Sequence, residues 1–244
     1  MDLAPVRLLA DSILYVGYPG QSGGTAVANS LFNLGAIGGP SGRLTMTWHT
    51  APFVNESNYT SYQMKAAPAP PGELAPGLPG RTYRYYKGSS VAFGFGAGES
   101  YSTFSEAWAS ANHSLSATEL HTTLEMPASD QSPATQLSCV VTNTGRLPAA
   151  HIVIATAAHT QPPAFATIDG APIKSVVGFE RVFLQPGAVV TVHFNITADT
   201  FSQHAEGGGT VVMRGQWEFS FLSGQADGLA TTVESTLLRV NVVN

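Results

Sequence analysis

From about Ser105 to its end the chain is written in short apolar alternations, broken by turn residues every ten positions or so, and this pattern leaves little choice besides an all-β sandwich. Leu137, Cys139 and Val141 fall on one side of a predicted strand, and Asn143-Thr144-Gly145 supplies the turn after it. Residues 152–157 give the next strand, and a proline-containing loop at 161–165 follows. Residues 176–184 then run into Gln185-Pro186-Gly187-Ala188, where Pro followed by Gly suits the central positions of a type II turn. Val190, Val192, Phe194 and Ile196 alternate on the return. Trp217, Phe219 and Phe221 mark a late strand, and residues 237–243 the last.

The first 104 residues have a different texture. Residues 13–16 (Ile-Leu-Tyr-Val) form a short apolar run flanked by glycine, which predicts a buried strand. A glycine-rich turn follows, then Thr25 as an expected N-cap, then Ala26, Val27, Ala28, Leu31 and Phe32 as the apolar stripe of a two-turn helix. Asn33 and Gly35 stop that helix, and the glycine cluster at 38–42 turns the chain into an extended stretch at 43–48. Strand, glycine turn and helix make half of a βαβ unit. A strand of the buried type needs neighbours on both edges and helices on both faces, and residues 1–11 provide none, so the chain reads as truncated. After Trp48, Pro68, Pro70, Pro71, Pro76 and Pro79 predict an exposed arm over about 49–87, stiffened by fixed φ angles. Two domains are expected: 1–104, the closing part of an α/β layer with its arm, and 105–244, the sandwich.

Composition narrows the function classes. Of the 244 residues 43% are apolar, enough for two cores, while only 11% are charged, well below the usual ~25%. The net charge of −5, with no lysine or arginine cluster, argues against a nucleic-acid partner, and no apolar run is long enough to enter a membrane. The N-terminus lacks the look of a signal peptide, since Asp11 interrupts its apolar run. Four N-x-S/T sequons, at Asn55, Asn58, Asn112 and Asn195, nevertheless favour a secretory route. Asn55 and Asn58 lie in a polar loop, whereas Asn195 lies in a strand pattern, facing opposite to Phe194 and Ile196. The single cysteine, Cys139, alternates with Leu137 and Val141 and is expected to be a buried core residue.

Candidate chemistry is sparse. Gly20-Gln21-Ser22-Gly23-Gly24 satisfies the G-x-S-x-G pattern that lifts a nucleophilic serine between strand and helix. A hydrolase of that kind also needs an acid and a histidine on the same sheet, and Asp130, Asp169, Asp199, His193 and His204 all fall in the sandwich half. No lysine follows the glycines, which disfavours a phosphate-cradling loop. Seven histidines without H-E-x-x-H or close His/Asp pairing give no metal-ligand spacing, and no cofactor is expected. Glu56, Glu73 and Glu99 stand apart from one another, and Glu99 reads as a solvated loop residue. Arg81, Tyr83, Arg84 and Tyr85, at the end of the arm, are the residue types that stack on and hydrogen-bond a sugar ring; the same residues also suit pinning the arm to its neighbours.

Three blocks carry a resemblance. Residues 19–24 (P-G-Q-S-G-G), 26–33 (A-V-A-N-S-L-F-N) and 40–48 (P-S-G-R-L-T-M-T-W) follow in order the P-G-Q-x-G-G turn, A-x-A-D-x-L-F-G helix and N-P-S-G-R-L-P-x-T-W stretch of the second domain of glycoside hydrolase family three, in its β-xylosidase-like branch. Asn29, Asn33, Gly39 and Thr45 stand where that family has Asp, Gly, Asn and Pro. Residues 79–85 resemble its P-G-R-T-Y-R-[FY] block, and 95–104 its F-G-H-G-L-S-Y-T-x-F block, with Ala97 for the histidine and Glu99 for the leucine. Residues 140–145 and 178–187 resemble V-T-N-T-G and G-F-E-R-V-x-L of the fibronectin type III-like domain that ends many such enzymes; there Glu180 and Arg181 read as a structural pair.

The resemblance implies hydrolysis of terminal β-xylosyl, arabinosyl or glucosyl residues from β-linked oligosaccharides, without a cofactor, in an enzyme that is secreted or held in the cell wall. It also implies that the nucleophile lies in an N-terminal barrel and the acid/base upstream of residue 19, both outside these 244 residues. The expectation is therefore a C-terminal piece with no catalytic residue of its own, inactive alone, that scaffolds and walls the sugar site. Two alternatives are a stand-alone β-sandwich module that binds carbohydrate or protein, and a serine hydrolase using Ser22.

Overall fold

In the computed structural model, residues 4–34, 39–68, 77–110, 112–126, 131–160, 171–204, 209–222 and 237–243 are described. The first part holds α1 (Ala4–Arg7), α2 (Gly23–Leu31), β1 (Trp48–His49), the single-turn helices α3 (Phe53–Glu56) and α4 (Thr82–Tyr85), and β2 (Val91–Phe93), which pairs antiparallel with β1. The second part runs β3 (Phe104–Trp108), β4 (His113–Ser116), α5 (Ala117–Glu125), β5 (Thr135–Asn143), β6 (Ala149–His159), β7 (Ser175–Leu184), β8 (Val189–Ile196), a 3₁₀ turn (Ala198–Phe201), β9 (Ser202–His204), β10 (Thr210–Val212), β11 (Gly215–Phe221) and β12 (Leu238–Val243).

Two sheets form the sandwich, one ordered β4-β12-β11-β6-β7 and the other β3-β5-β8. All neighbours are antiparallel except β12 and β4. Side chains that alternate in the sequence meet between the sheets: Leu137, Cys139 and Val141 from β5, Val192, Phe194 and Ile196 from β8, and Val153, Phe219 and Val240 from the larger sheet are all buried. Trp108 of the smaller sheet stacks on Phe221 of the larger one with ring centroids 4.1 Å apart. Burying side chains of this size contributes roughly 1.5–3 kcal/mol each, and the sandwich closes its own core. The expected turn after β7 is also present: Gly187 has φ 75°, and the Ala188 amide donates to the Gln185 carbonyl at 3.0 Å.

Asn143 ends β5 as a polar group wholly removed from water. Its amide nitrogen donates to the Leu147 and Leu184 carbonyls, both at 2.9 Å, and its oxygen accepts from Ser102 Oγ at 2.7 Å and the Gly145 amide at 3.0 Å. One side chain thus ties the turn, the end of β7 and the segment leading into β3, with its buried polar atoms satisfied.

Four sequence expectations change. Residues 13–16 form no strand, and Ile13, Leu14, Tyr15 and Val16 are 39–62% exposed. A buried strand exists only when neighbours complete its ladder, and no described strand lies beside it; Tyr15 instead meets Trp48 edge-on at 4.8 Å. The helix forms as α2, but Ser22 occupies the N-cap without a side-chain hydrogen bond, and Thr25 lies inside the helix. Its apolar Leu31 and Phe32 stay 47% and 72% exposed. Residues 117–125, within the half expected to be all-β, form α5. There Ser116 Oγ accepts from the Glu119 amide at 3.4 Å, and Leu120 is buried. Serine followed three positions later by glutamate is a helix-start signal that the surrounding strand texture hid. The arm is closed at its base by Ala67 and Leu78, whose amides and carbonyls exchange two hydrogen bonds of 2.9 Å, while Pro70, Pro71, Glu73 and Pro76 lie outside the described residues.

Replacing Asn143 by alanine leaves two carbonyls, a hydroxyl and an amide without their partner, so a loss of about 3 kcal/mol is expected in urea unfolding. Phe219→Ala opens a cavity in the same core and should cost a further ~3–5 kcal/mol.

Candidate functional site

The arm returns through residues 79–86, where the candidate sugar-contacting side chains lie. Thr82 has φ 60°, a left-handed conformation that a β-branched residue adopts only when its surroundings impose it. The surroundings are visible on both sides. The Arg81 amide donates to the Met64 carbonyl at 2.8 Å, and its Nη2 donates to the Asn58 carbonyl. Tyr83 stacks on Phe95 at 4.0 Å, and its hydroxyl accepts from the Val176 amide at 3.4 Å. The Arg84 carbonyl accepts from the Ile173 amide at 2.7 Å. The Arg84 guanidinium lies 5.6 Å over the Tyr85 ring.

The four residues do not converge. Arg81 turns toward the loop around Asn58. Tyr83 and the Arg84 backbone fasten the arm to the start of β7, and the side chains of Arg84 and Tyr85 form an outward cation–π pair.

A second cluster adjoins them, and the sequence offered little sign of it. Glu56, at the end of α3, accepts hydrogen bonds from the Tyr86 hydroxyl and from Ser90 Oγ. The Ser90 amide donates to the Tyr86 oxygen at 2.9 Å. His49 Nδ1 lies 3.0 Å from the Ser90 carbonyl, which only accepts, so the ring proton sits on Nδ1 and leaves Nε2 as an acceptor. His49 stacks on Phe53 at 3.7 Å and meets Tyr86 edge-on at 4.7 Å.

These hydrogen bonds set the electrostatics of the cluster. The hydrogen bonds from Ser90 and then Tyr86 hold Glu56 below the usual carboxylate range, outweighing its modest burial. Burial, helped by the bond to Glu56, pushes the Tyr86 phenol up, and burial pulls His49 down. A general acid needs the opposite shift. Tyr86 closes the P-G-R-T-Y-R-Y-Y run, which was the one available signal; nothing marks Ser90 in the sequence.

The remaining candidates separate. Ser22 is exposed at the start of α2, while His193 is bonded to Ser138 at 2.9 Å, His204 lies 3.3 Å from Thr210 Oγ1, and Asp199 lies in the 3₁₀ turn. No acid–histidine pair therefore joins Ser22 among the described residues; Asp130 and Asp169 lie outside them. Cys139 is fully buried, and desolvation, with Glu106 nearby, pushes its thiol up to about 12. Among the described residues no group of three His, Cys, Asp or Glu side chains is placed to hold a metal, and no helix is long and apolar enough to cross a membrane. Glu99 is exposed. Glu180 and Arg181 are exposed on β7, and Arg181 reaches Ser41 Oγ at 3.0 Å.

Residues 161–224 match the Fn3-like family, the fibronectin type III-like domain. The chain is 34% identical over 195 residues to a beta-xylosidase/alpha-L-arabinofuranosidase 2 of Medicago sativa subsp. varia, covering 76% of this chain and 23% of that protein. It is 31% identical over 228 residues to a probable exo-1,4-beta-xylosidase of Aspergillus oryzae, covering 90% and 26%. A solved GH3 exo-beta-xylosidase in complex with a xylobiose aziridine activity-based probe superposes with TM-score 0.73 at 27% identity, over 93% of this chain and 27% of that one. A beta-glucosidase from Listeria innocua shares the fold, with TM-score 0.68 at 19% identity. The chain thus spans about a quarter of the length of the curated relatives it matches.

The Glu56 cluster makes a pH-dependent contribution to stability. Its folded pKa is depressed, so the contribution is present above the unfolded carboxylate pKa and is lost as pH falls through the lower folded value. Thermal melts of Tyr86→Phe should therefore lie below wild type at pH 7, and the gap should close as pH falls below the carboxylate range.

Proposed function

Because the chain belongs to glycoside hydrolase family three, in its β-xylosidase-like branch, and carries that family's fibronectin type III-like domain, we propose that it is the non-catalytic C-terminal part of an exo-β-glycosidase. The parent reaction is hydrolysis of terminal β-xylosyl residues, with arabinosyl or glucosyl residues as further substrates, from plant-type oligosaccharides. This part supplies scaffold and one wall of the sugar site: of the four candidate residues, Arg81 and Tyr83 fasten the arm, and the side chains of Arg84 and Tyr85 are the ones left to meet a sugar. Retaining glycosidases need two carboxyl groups about 5 Å apart, one nucleophile and one acid/base. The supporting observation is that both oxygens of Glu56 are taken up by hydrogen bonds from Tyr86 and Ser90, while relatives about four times as long carry the matched stretch.

The partner in this reading is an N-terminal barrel domain with the rest of the α/β layer. Leu8, Leu9, Tyr18 and Phe32 are 72–104% exposed, apolar side chains of the kind such a domain would cover. A second reading, a separately acting β-sandwich module, has in its favour that the buried residues of the sandwich core all come from position 117 onward.

A secretory route completes the reading, with Asn58 as the preferred glycan acceptor among Asn55, Asn58, Asn112 and Asn195. Asn58 lies in an exposed loop with Tyr59 and Tyr62, and its side-chain oxygen accepts from the Thr60 amide at 3.0 Å and the Thr60 hydroxyl at 2.8 Å. The Ser57 of the Asn55 sequon is buried. Asn112 is engaged by the Arg239 amide at 2.9 Å, and Asn195 by Gln136 at 2.9 Å within the sheet.

Two experiments test this. Exchange of the matched stretch of the Medicago enzyme for these residues should leave aryl-β-xyloside hydrolysis intact, and Arg84→Ala with Tyr85→Ala in that chimera should raise KM several-fold with kcat little changed. A chimera that folds but never hydrolyses the xyloside favours the separate module. Secreted from a eukaryotic host behind an added leader, the chain should lose its endoglycosidase-sensitive mass in Asn58→Gln and keep it in Asn195→Gln.

A further inference from the structure

The junction between the two parts contains a side-chain network that the sugar-site reading does not use. Arg43, in the P-S-G-R stretch, donates through Nη1 to the Gly98 carbonyl and through Nη2 to His151 Nδ1 at 3.3 Å. His151, on β6, meets Glu106 Oε1 of β3 through Nε2 at 2.7 Å. The side chains of His151 and Glu106 are only 8% and 9% exposed, and Phe104 stacks on the imidazole at 4.3 Å. Three layers are joined here: the first part, the larger sheet and the smaller sheet.

We propose that Arg43, His151 and Glu106 form a proton-gated clasp, which fastens the first part of the chain to the sandwich while His151 is neutral and lets go when it is protonated. A guanidinium has only donors, so the nitrogen facing Arg43 must be an acceptor; Nδ1 is then bare, and the ring proton sits on Nε2, where it donates to the Glu106 carboxylate. A second proton has only Nδ1 to occupy. It would set an N–H against an N–H and an imidazolium against a guanidinium, with little water between them to screen the repulsion. The bond to Glu106 survives protonation and that to Arg43 does not. The joint should therefore part between Arg43 and His151, with the sandwich left whole.

Two other described residues lie close by. Val182 stands opposite His151 on β7, and Cys139, on β5, senses Glu106 while its thiol stays protonated. Arg43 Nε is buried without a partner, so the side chain already sits at the limit of what its surroundings satisfy.

Glutamine provides the control, because its side-chain oxygen can accept from Arg43 while its NH₂ donates to Glu106, and it does not titrate. The readout is amide hydrogen exchange, corrected for intrinsic rates, in the full 244-residue chain. The Ile173 amide crosses the joint to Arg84, the Leu44 amide lies beside Arg43 and donates to Ala97, and the β5 amides serve as reference.

From pH 7.5 to 5, protection at Ile173 and Leu44 should fall about tenfold relative to β5 in wild type, and less than twofold in His151→Gln. No fall in wild type, or the same fall in both, overturns the proposal. Should His151→Gln fail to fold, the ring nitrogen shifts of wild-type His151 at pH 7.5 decide. A protonated Nε2 with a bare Nδ1 supports the clasp, and a protonated Nδ1 refutes it.

Discussion

A guanidinium taken out of water has to be answered by acceptors and by negative charge, and Arg43 finds both where the two parts of the chain meet. Burial pulls its pKa below the ordinary value, and the Glu106 carboxylate, reached through His151, pulls it back. Around that point the backbones come so close that a Cβ on Gly98 would lie 2.2 Å from the Gly42 carbonyl oxygen. The carbonyl of Gly98 is itself an acceptor for Arg43. Close backbone approach and charge compensation thus depend on the same few residues. The other links across the joint, Tyr83 to Val176, Arg84 to Ile173 and Arg181 to Ser41, hold the arm and β7 in the same relation.

The two parts differ in how completely they bury what they bring. In the sandwich, apolar residues from both sheets fill one core, and Asn143 is satisfied inside it. The first part keeps its apolar side chains outward along residues 8–18 and on α2. What anchors it is local: Arg7 donates to the Ala92 carbonyl at 3.0 Å and lies over Phe93, and Tyr101 donates to the Leu31 carbonyl at 3.0 Å. Such contacts hold a segment in place without giving it a core.

Period-two patterning is a strong signal because every strand of a sandwich shows one face to the core, so β5, β8, β11 and β12 could be read from the sequence nearly to their ends. The Pro186-Gly187 turn was equally legible, since only glycine takes its φ without strain. Where the sequence misled, the missing information was tertiary. An apolar run such as residues 13–16 states that it wants neighbours, not whether it has them. The short helix α5 was overridden in reading by the strands around it. The candidate residues 81–85 were visible as residue types, whereas the bonds of Glu56 to Tyr86 and Ser90 join positions 30 and 34 apart with no shared motif. The Arg43–His151–Glu106 network spans 108 positions and left no trace at all.

On the proposal that this stretch shapes a glycosidase whose carboxyl groups lie elsewhere, the 244 residues should have no hydrolytic activity of their own. The most direct measurement is the release of nitrophenol from an aryl-β-xyloside by the purified 244-residue chain, at enzyme concentrations high enough to detect a residual rate. A rate equal to the buffer blank is expected at every pH. A saturable rate that disappears in Glu56→Gln or Ser22→Ala would contradict it.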